Sequence, residues 1–264
     1  MFDRLLLTGA AGSLGRVLRP RLRGCCRVLR LSDIADLGEA APGEELMPAP
    51  LQDKAAVMAL LQGVQAVVHL GGLSTEHAFE DILAANIVGT YHVYEAARMH
   101  GARRIVFASS NHATGFYSQG ETITPLAPRR PDGYYGLSKA FGEDLAQFYF
   151  DRHGLETVSL RIGSSFPAPV DRRMLATWLS YDDLERLVRA ALTAPVVGHT
   201  VIYGMSDNRG VWWDNTSASH VGYRPQDSSE PFRSELEARQ PLIDPRRPEA
   251  RLQGGAFCIK GPFD

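Results

Sequence analysis

The sequence predicts an α/β protein, a doubly wound parallel sheet with a small lobe over the sheet's C-terminal edge. Three observations predict it. Short apolar runs alternate with helical patterns along the chain, as in βα units feeding one parallel sheet. A glycine-rich turn separates the first apolar run from the first helix. Polar residues gather where successive runs end, which places them along one sheet edge. The 264 residues read as a single domain, with a core over about residues 1–165 and the smaller lobe built mainly from 166–264.

Leu5-Leu6-Leu7-Thr8 is the first strand, apolar throughout as in a strand buried on both faces. Gly9-Ala10-Ala11-Gly12-Ser13-Leu14-Gly15 follows, then a helix with Val17, Leu18 and Leu22 on its apolar stripe. Strand, glycine turn and helix form the context in which glycines bind a dinucleotide, its pyrophosphate facing the helix N-terminus. The same three glycines also serve as plain turn residues elsewhere. Pro20 lies beyond the first turn, where proline is tolerated, so a kink or an early end is expected. Val28 to Asp33 is the second strand. Asp33 closes it, roughly the ~20 residues past the glycines at which an acid meets the adenosine ribose. An acid there repels a 2′-phosphate and favours NAD over NADP. Asp36 is a second candidate for that place.

A Gly-, Pro- and Glu-rich loop runs from Leu37 to about Pro50, and Lys54 to Leu61 forms a short helix. Ala66 to Leu70 is the next buried strand, ending in Gly71-Gly72, bare backbone suited to a ligand over the sheet edge. Ser74 lies just beyond. Asn86 falls in a long helical segment, where a buried amide needs partners; it is a structural bridge or part of a proton relay. Arg104 to Ala108 is the fourth strand and delivers Ser109-Ser110-Asn111-His112 to the same edge. A Pro- and Arg-containing loop from Leu126 to Gly133 leads into the helix of Tyr135-Gly-Leu-Ser-Lys139, which runs to about Arg152. A Tyr and a Lys four apart share one helix face. An ammonium beside a phenol lowers its pKa and makes it a candidate base. Thr157 to Ile162 is a core strand followed by Gly163-Ser164-Ser165, with Asp171-Arg172-Arg173 beyond. A helix from Tyr181 to Leu192, a strand from Thr200 to Tyr203, a Trp212-Trp213 loop and a last helix near Pro231 to Arg239 complete the chain.

Composition excludes several classes. A 44% hydrophobic chain can bury a full core. The 28 basic and 30 acidic residues nearly balance, which argues against a general nucleic-acid or membrane-surface binder. The basic run Arg16, Arg19, Arg21, Arg23, Arg27 and Arg30 has no aromatics among it and reads as a solvated helix face. No apolar stretch is long enough to cross a bilayer. The start leads directly into a strand, so no signal peptide is expected. Cys25, Cys26 and Cys258, an odd count with an adjacent pair, read as free thiols in a reducing cytoplasm. No His, Asp, Glu or Cys pattern suggests a metal, and there is no nucleophilic serine elbow.

Thr8 to Gly15, Gly71-Gly72, Ser109-Ser110 and Tyr135 to Lys139 together resemble the extended short-chain dehydrogenase/reductase superfamily, over essentially the whole chain. Val221-Gly-Tyr-Arg-Pro225 is similar to its sugar-active members. Ile105 to His112, Arg161 to Ser164, Arg173-Met174 with Thr177-Trp178, Gly210 to Asn215 and Gln253 to Phe257 resemble, more narrowly, the uronate dehydrogenases. The resemblance implies a Rossmann-type fold and NAD-dependent oxidation of a hexuronate, D-glucuronate or D-galacturonate, at C1 to the aldarolactone, a step of hexuronate catabolism. It implies Tyr135 as base, Lys139 on the nicotinamide ribose and lowering the Tyr pKa, and Ser110 orienting the reacting hydroxyl. Ser74, Asn111 and His112 would read substrate hydroxyls, and Ser164 and Arg173 would face the carboxylate. Gly9, Gly12, Ser13, Leu14, Gly15, Asp33, Leu51, Leu70, Gly71, Gly72, Asn86, Ser109, Ile162 and Ser165 would line the cofactor. A homo-oligomer joined through flanking helices is the implied assembly. Pro50-Leu51 stands where an Asp-Leu pair usually meets the adenine, so that contact is lost or replaced. Ser165 stands where a Cys is common. An epimerase or reductase acting on another sugar or sugar nucleotide, and a non-catalytic dinucleotide sensor, are the competing readings. The short C-terminal part counts against the first, and the intact Tyr–Lys pair against the second.

Overall fold

The computed structural model describes residues 1–261. The first apolar run becomes β1 (Phe2–Thr8). β2 (Cys26–Ser32), β3 (Glu44–Leu46), β4 (Ala66–His69), β5 (Arg104–Ser110), β6 (Glu156–Ile162) and β9 (His199–Gly204) join it in one sheet, ordered β3-β2-β1-β4-β5-β6-β9. Every pairing is parallel. The strands are apolar without alternation because both faces are covered. Leu5 and Leu7 enter one core with Ala66, Val68, Val106 and Val158; Leu6 enters the other with Val67, Ile105 and Phe107. α1 (Ser13–Leu22) and α7 (Tyr181–Thr193) close the first core through Leu18, Leu22, Leu184 and Leu187. α2 (Lys54–Leu60), α4 (Gly89–Met99) and α5 (Tyr134–His153) close the second through Val57, Val93, Tyr94 and Tyr149. Strand order reverses direction between β1 and β4, and such a sheet binds ligands beyond its C-terminal edge at that point.

β3 lies inside the segment read as a loop. Its Glu44 and Glu45 hide the strand from propensity, yet they suit a sheet edge. Glu44 receives Arg19 and Arg23, and Glu45 receives Arg4 and Arg30. Burial opposes the Glu44 charge, but these guanidiniums hold its carboxyl down at about 2. The basic run is therefore largely a set of ion pairs, not a solvated face. α1 stops at Leu22, two residues past Pro20.

Beyond residue 165 the chain divides. α7 and β9 return to the main sheet. β7 (Ser164–Ser165) pairs with β8 (Trp178–Leu179) across α6 (Met174–Thr177). α8 (Arg233–Arg239) and α9 (Pro248–Arg251) follow. Bridges Ile123–Trp213 and Ser118–Leu252 tie this part to the loop after β5, over a cluster in which Tyr203 and Trp213 stack 4.8 Å apart. Among the described residues no helix is long and apolar enough to cross a membrane.

Arg104, at the start of β5, is fully buried. Its Nη1 donates to the carbonyls of Ala191 (3.2 Å), Leu192 (3.0 Å) and Ala194 (2.6 Å), capping the C-terminus of α7, and Nε and Nη2 donate to Glu156. Arg104→Met leaves those carbonyls without that donor and strips Glu156 of its cation, with only the Val197 and Gly198 N–H groups still donating to it. It is expected to cost about 3–5 kcal/mol, read as a lower urea midpoint at unchanged slope; a midpoint equal to wild type refutes this.

Candidate active site

The glycine turn is built by close approach. Gly9 adopts φ +68°, and a Cβ there would come within 2.7 Å of the Leu70 carbonyl carbon. A Cβ at Gly15 would collide with the Gly9 carbonyl oxygen, so helix and turn pack as only glycine allows. No side chain caps α1 at Gly12, which leaves the first N–H groups, around exposed Ser13 and half-buried Leu14, facing the sheet edge. Asp33 closes the turn: its carboxylate accepts from the Ala11 N–H (2.9 Å) and the Ala35 N–H (3.0 Å). Asp36 serves its own turn, accepting from the Gly38 N–H. Leu51 lies under Gly71, and Asn86 under Gly72. Pro50 is exposed, and its carbonyl accepts from the Asp53 N–H (3.0 Å).

Asn86 sits on a π-helical turn, Leu83–Val88, between α3 (Phe79–Ile82) and α4. It accepts from the Leu73 N–H (2.7 Å) and donates to the Leu73 carbonyl (3.0 Å) and Ser138 Oγ (3.0 Å). Ser138 Oγ donates in turn to the Tyr135 carbonyl (2.7 Å). Both amide hydrogens are used inside the protein. Asn86 is thus the structural bridge of the two readings, joining the loop after β4 to the turn that carries Tyr135.

Ser109 and Ser110 point oppositely, as neighbours on a strand must. Ser109 Oγ donates to Glu143 (2.6 Å), which also receives Arg161 and Arg129. The Ser109 side chain is therefore turned into a buried network, not toward a cofactor. Ser110 faces the site: its Oγ accepts from the His112 N–H (3.2 Å), and the hydroxyl lies near enough to the Tyr135 phenol to lower its pKa. Ile162 pairs with Ser110 across the strands. Ser74 is exposed on the loop after Gly72.

Lys139 does bring its ammonium over the Tyr135 ring, 5.5 Å from the centroid. The expected lowering of the phenol pKa is absent. Burial pushes Tyr135 up to about 12, against the opposing influence of the Ser110 hydroxyl, and pushes Lys139 down from 10.5 to about 8. Both groups are desolvated, and desolvation outweighs their proximity. Lys139 has no hydrogen-bond acceptor or carboxylate partner among the described residues, and the buried Ser165 hydroxyl has no partner either. Together with the glycine turn and the open N-terminus of α1, these donors fit a dinucleotide with ribose hydroxyls and a pyrophosphate. Burying Lys139 as a cation costs about 3 kcal/mol at neutral pH. Lys139→Met is expected to raise the melting temperature of NAD-free protein while abolishing activity. Between about pH 8 and 10 the folded chain has released this proton and the unfolded chain still holds it, so wild-type stability rises with pH there. In the variant that rise should vanish; a variant less stable than wild type refutes this.

Arg173 opens α6. Its Nε donates to the Gln253 carbonyl (2.7 Å) and its Nη1 to Ser164 Oγ (3.2 Å). The hydrogen-bond network orients the Asn111 amide to donate to the Ile162 carbonyl (3.0 Å) and to accept from Arg173 Nη2 (2.7 Å). Three of five N–H groups are so used, and one remains on each terminal nitrogen, the pair a carboxylate engages bidentately. No carboxylate reaches Arg173 among the described residues. Ser164 lies 2.9 Å from Thr177 Oγ1, which donates to the Arg173 carbonyl. Ser164 therefore donates to Thr177 and acts by holding the guanidinium.

Sequence reasoning gave no role to four residues around this site, two of which, Gln253 and Phe257, bound a stretch it had singled out. Glu76 accepts from the Tyr134 N–H (2.6 Å) and the Tyr135 N–H (2.9 Å) and so caps α5 from the loop after β4. Asp132 accepts from His112 Nδ1 (2.6 Å). Phe257 stacks on His112 at 3.8 Å. Gln253 accepts from Trp213 Nε1 (2.9 Å), donates to the Ser118 and Glu121 carbonyls, and anchors Arg173. Among the described residues no group of three His, Cys, Asp or Glu could hold a metal. A surface cavity of about 490 Å³ along β9, beside Trp213 and Tyr223, contains none of the predicted residues.

The family model of the NAD dependent epimerase/dehydratase family matches residues 5–194. The chain is 62% identical to the uronate dehydrogenase of Pseudomonas putida, over all of this chain and 98% of that one. It superposes with a TM-score of 0.97 on the crystal structure of glucuronic acid dehydrogenase from Chromohalobacter salexigens, at 50% identity, covering 99% and 98% of the two chains. The same score holds for a tyrosine-to-alanine mutant of the Agrobacterium tumefaciens uronate dehydrogenase complexed with NAD, at 49% identity over 100% and 99%. With the parallel sheet, the glycine turn and the paired Tyr135 and Lys139 already in place, the chain belongs to the NAD-dependent epimerase/dehydratase family and, within it, to the uronate dehydrogenases.

Proposed function

We propose that the protein oxidises a cyclic hexuronate, D-glucuronate or D-galacturonate, at C1 to the aldarolactone, with Tyr135 as the base. The observation that carries this reading is Arg173. It is a half-buried guanidinium with two N–H groups free and no acid partner among the described residues, tied through Asn111 to the strand end that carries Ser110. It binds the uronate carboxylate and sets the orientation of the ring, remote binding energy applied to the reacting carbon. Ser110 holds the C1 hydroxyl, and the Tyr135 oxygen takes its proton. NAD, when bound, would supply the hydride acceptor. Lys139 would supply donors to the nicotinamide ribose, and Asp33 would accept from the adenosine ribose hydroxyls. Asn86 and Glu76 keep the first turn of α5 in place, so the Tyr135 oxygen does not drift.

The test is NADH absorbance with purified protein, NAD and glucuronate, galacturonate or glucose in separate cuvettes. A rise with the uronates alone supports the reading; equal rates with glucose remove the role of Arg173. The three free thiols, two of them buried, support a cytoplasmic location. Leu83 and Tyr91 beside and on α4, and Leu137 and Phe148 on neighbouring α5, are more than a third exposed, which supports a homo-oligomer joined at these helices. Light scattering at the mass of one chain refutes that assembly.

A further inference from the structure

We propose that Asp132 is a positioning residue that fixes the tautomer of His112, holding the proton on Nδ1 so that Nε2 meets the substrate as a hydrogen-bond acceptor. The inference rests on the reading of His112 as a residue that contacts the hexuronate.

Three observations carry it. First, Asp132 is buried, at 5% exposure, and its Oδ2 lies 2.6 Å from His112 Nδ1. A carboxylate accepts only, so the bond places the proton on Nδ1. His112 Nε2 has no partner among the described residues. Second, the backbone is shaped around this carboxylate. A Cβ at Gly115 or at Gly254 would collide with Asp132 Oδ2. Gly115 has φ −64° and Gly254 φ −68°, so neither needs glycine for its conformation. Both are glycine because the carboxylate occupies the side-chain space, and they come from segments 139 residues apart. Third, the imidazole plane is fixed. Phe257 stacks on it at 3.8 Å and 22°, and the Tyr135 ring meets it edge-on at 5.9 Å. Burial, with Arg173 and Lys260 nearby, opposes a charge on the ring more than Asp132 favours it, which keeps the imidazole neutral.

The consequence is a specificity rule. A neutral imidazole presenting a bare Nε2 requires a donor, so the hexuronate must place a hydroxyl there, and an analogue without one leaves Nε2 unpaired. In Asp132→Asn the amide can donate to Nδ1, which moves the proton to Nε2 and reverses the polarity of the contact.

Two measurements decide it. Long-range ¹⁵N–¹H NMR of the His112 ring is expected to show the Nδ1–H tautomer in wild type at neutral pH and a shift toward Nε2–H in Asp132→Asn. Kinetics of His112→Ala, Asp132→Asn and the double variant form a cycle. We expect Asp132→Asn to raise KM for the hexuronate about tenfold or more, with NAD affinity and melting temperature near wild type, and to add nothing in the His112→Ala background. An Nε2–H tautomer in wild type overturns the proposal. So does an Asp132→Asn penalty that persists fully in His112→Ala. If wild type makes no NADH from any hexuronate, the functional reading fails, and the ring tautomer still decides the role of Asp132.

Discussion

Tyr135→Phe is expected to keep NAD affinity and melting temperature while kcat falls by between about 10² and 10⁴-fold, the range of a lost general base. The backbone of residue 135 is held by Glu76 and Ser138, not by the phenol oxygen, so the loss should be confined to chemistry. The pH profile gives a second, independent reading. Burial sets the free-enzyme phenol at about 12 and the Lys139 ammonium at about 8. A base that is mostly protonated at neutral pH makes kcat/KM climb with pH. A lysine that must stay charged bends the climb over above about 8. The wild-type profile should therefore rise from pH 6 and flatten or fall past about 8. Retention of more than a tenth of wild-type kcat in Tyr135→Phe, or a flat profile, removes Tyr135 as the base.

The order of elements was legible because burial on both sheet faces leaves unbroken apolar runs, as at Leu5 to Leu7, and because the glycine turn directly follows one. Tyr135 and Lys139 were legible for a similar local reason: four residues on a helix fix their common face. What was not legible depends on contacts between distant segments. β3 is written in Glu44 and Glu45, and only their arginine partners make it a strand. The opposite directions of Ser109 and Ser110 follow from strand parity, but which faces the site depends on where Glu143 and Arg161 pack. The sign of the Tyr135 pKa shift depends on how much water is excluded, and spacing along a helix says nothing of that. Asp132 left one trace, the glycines at 115 and 254, whose meaning appears only when both are seen against one carboxylate.

Arg173→Ala should have the largest effect on substrate recognition. Truncating one partner of a desolvated, hydrogen-bonded charge pair costs about 2–5 kcal/mol, so kcat/KM for a hexuronate should fall between about 30- and several-thousand-fold. The loss should sit mainly in KM for the hexuronate, because Arg173 contacts neither Tyr135 nor Lys139, and KM for NAD should stay within about twofold. The variant should also lose its preference for glucuronate over glucose. Arg173→Lys discriminates charge from geometry. One ammonium cannot satisfy the Gln253 carbonyl, Ser164 and the Asn111 amide while leaving two parallel donors for a carboxylate. Lysine should therefore recover less than a tenth of the lost kcat/KM. Full recovery by lysine would mean that only the positive charge matters, and that the framework of Gln253, Ser164 and Asn111 does not set the orientation of the substrate. An Arg173→Ala variant with unchanged uronate KM would place the carboxylate elsewhere in the site.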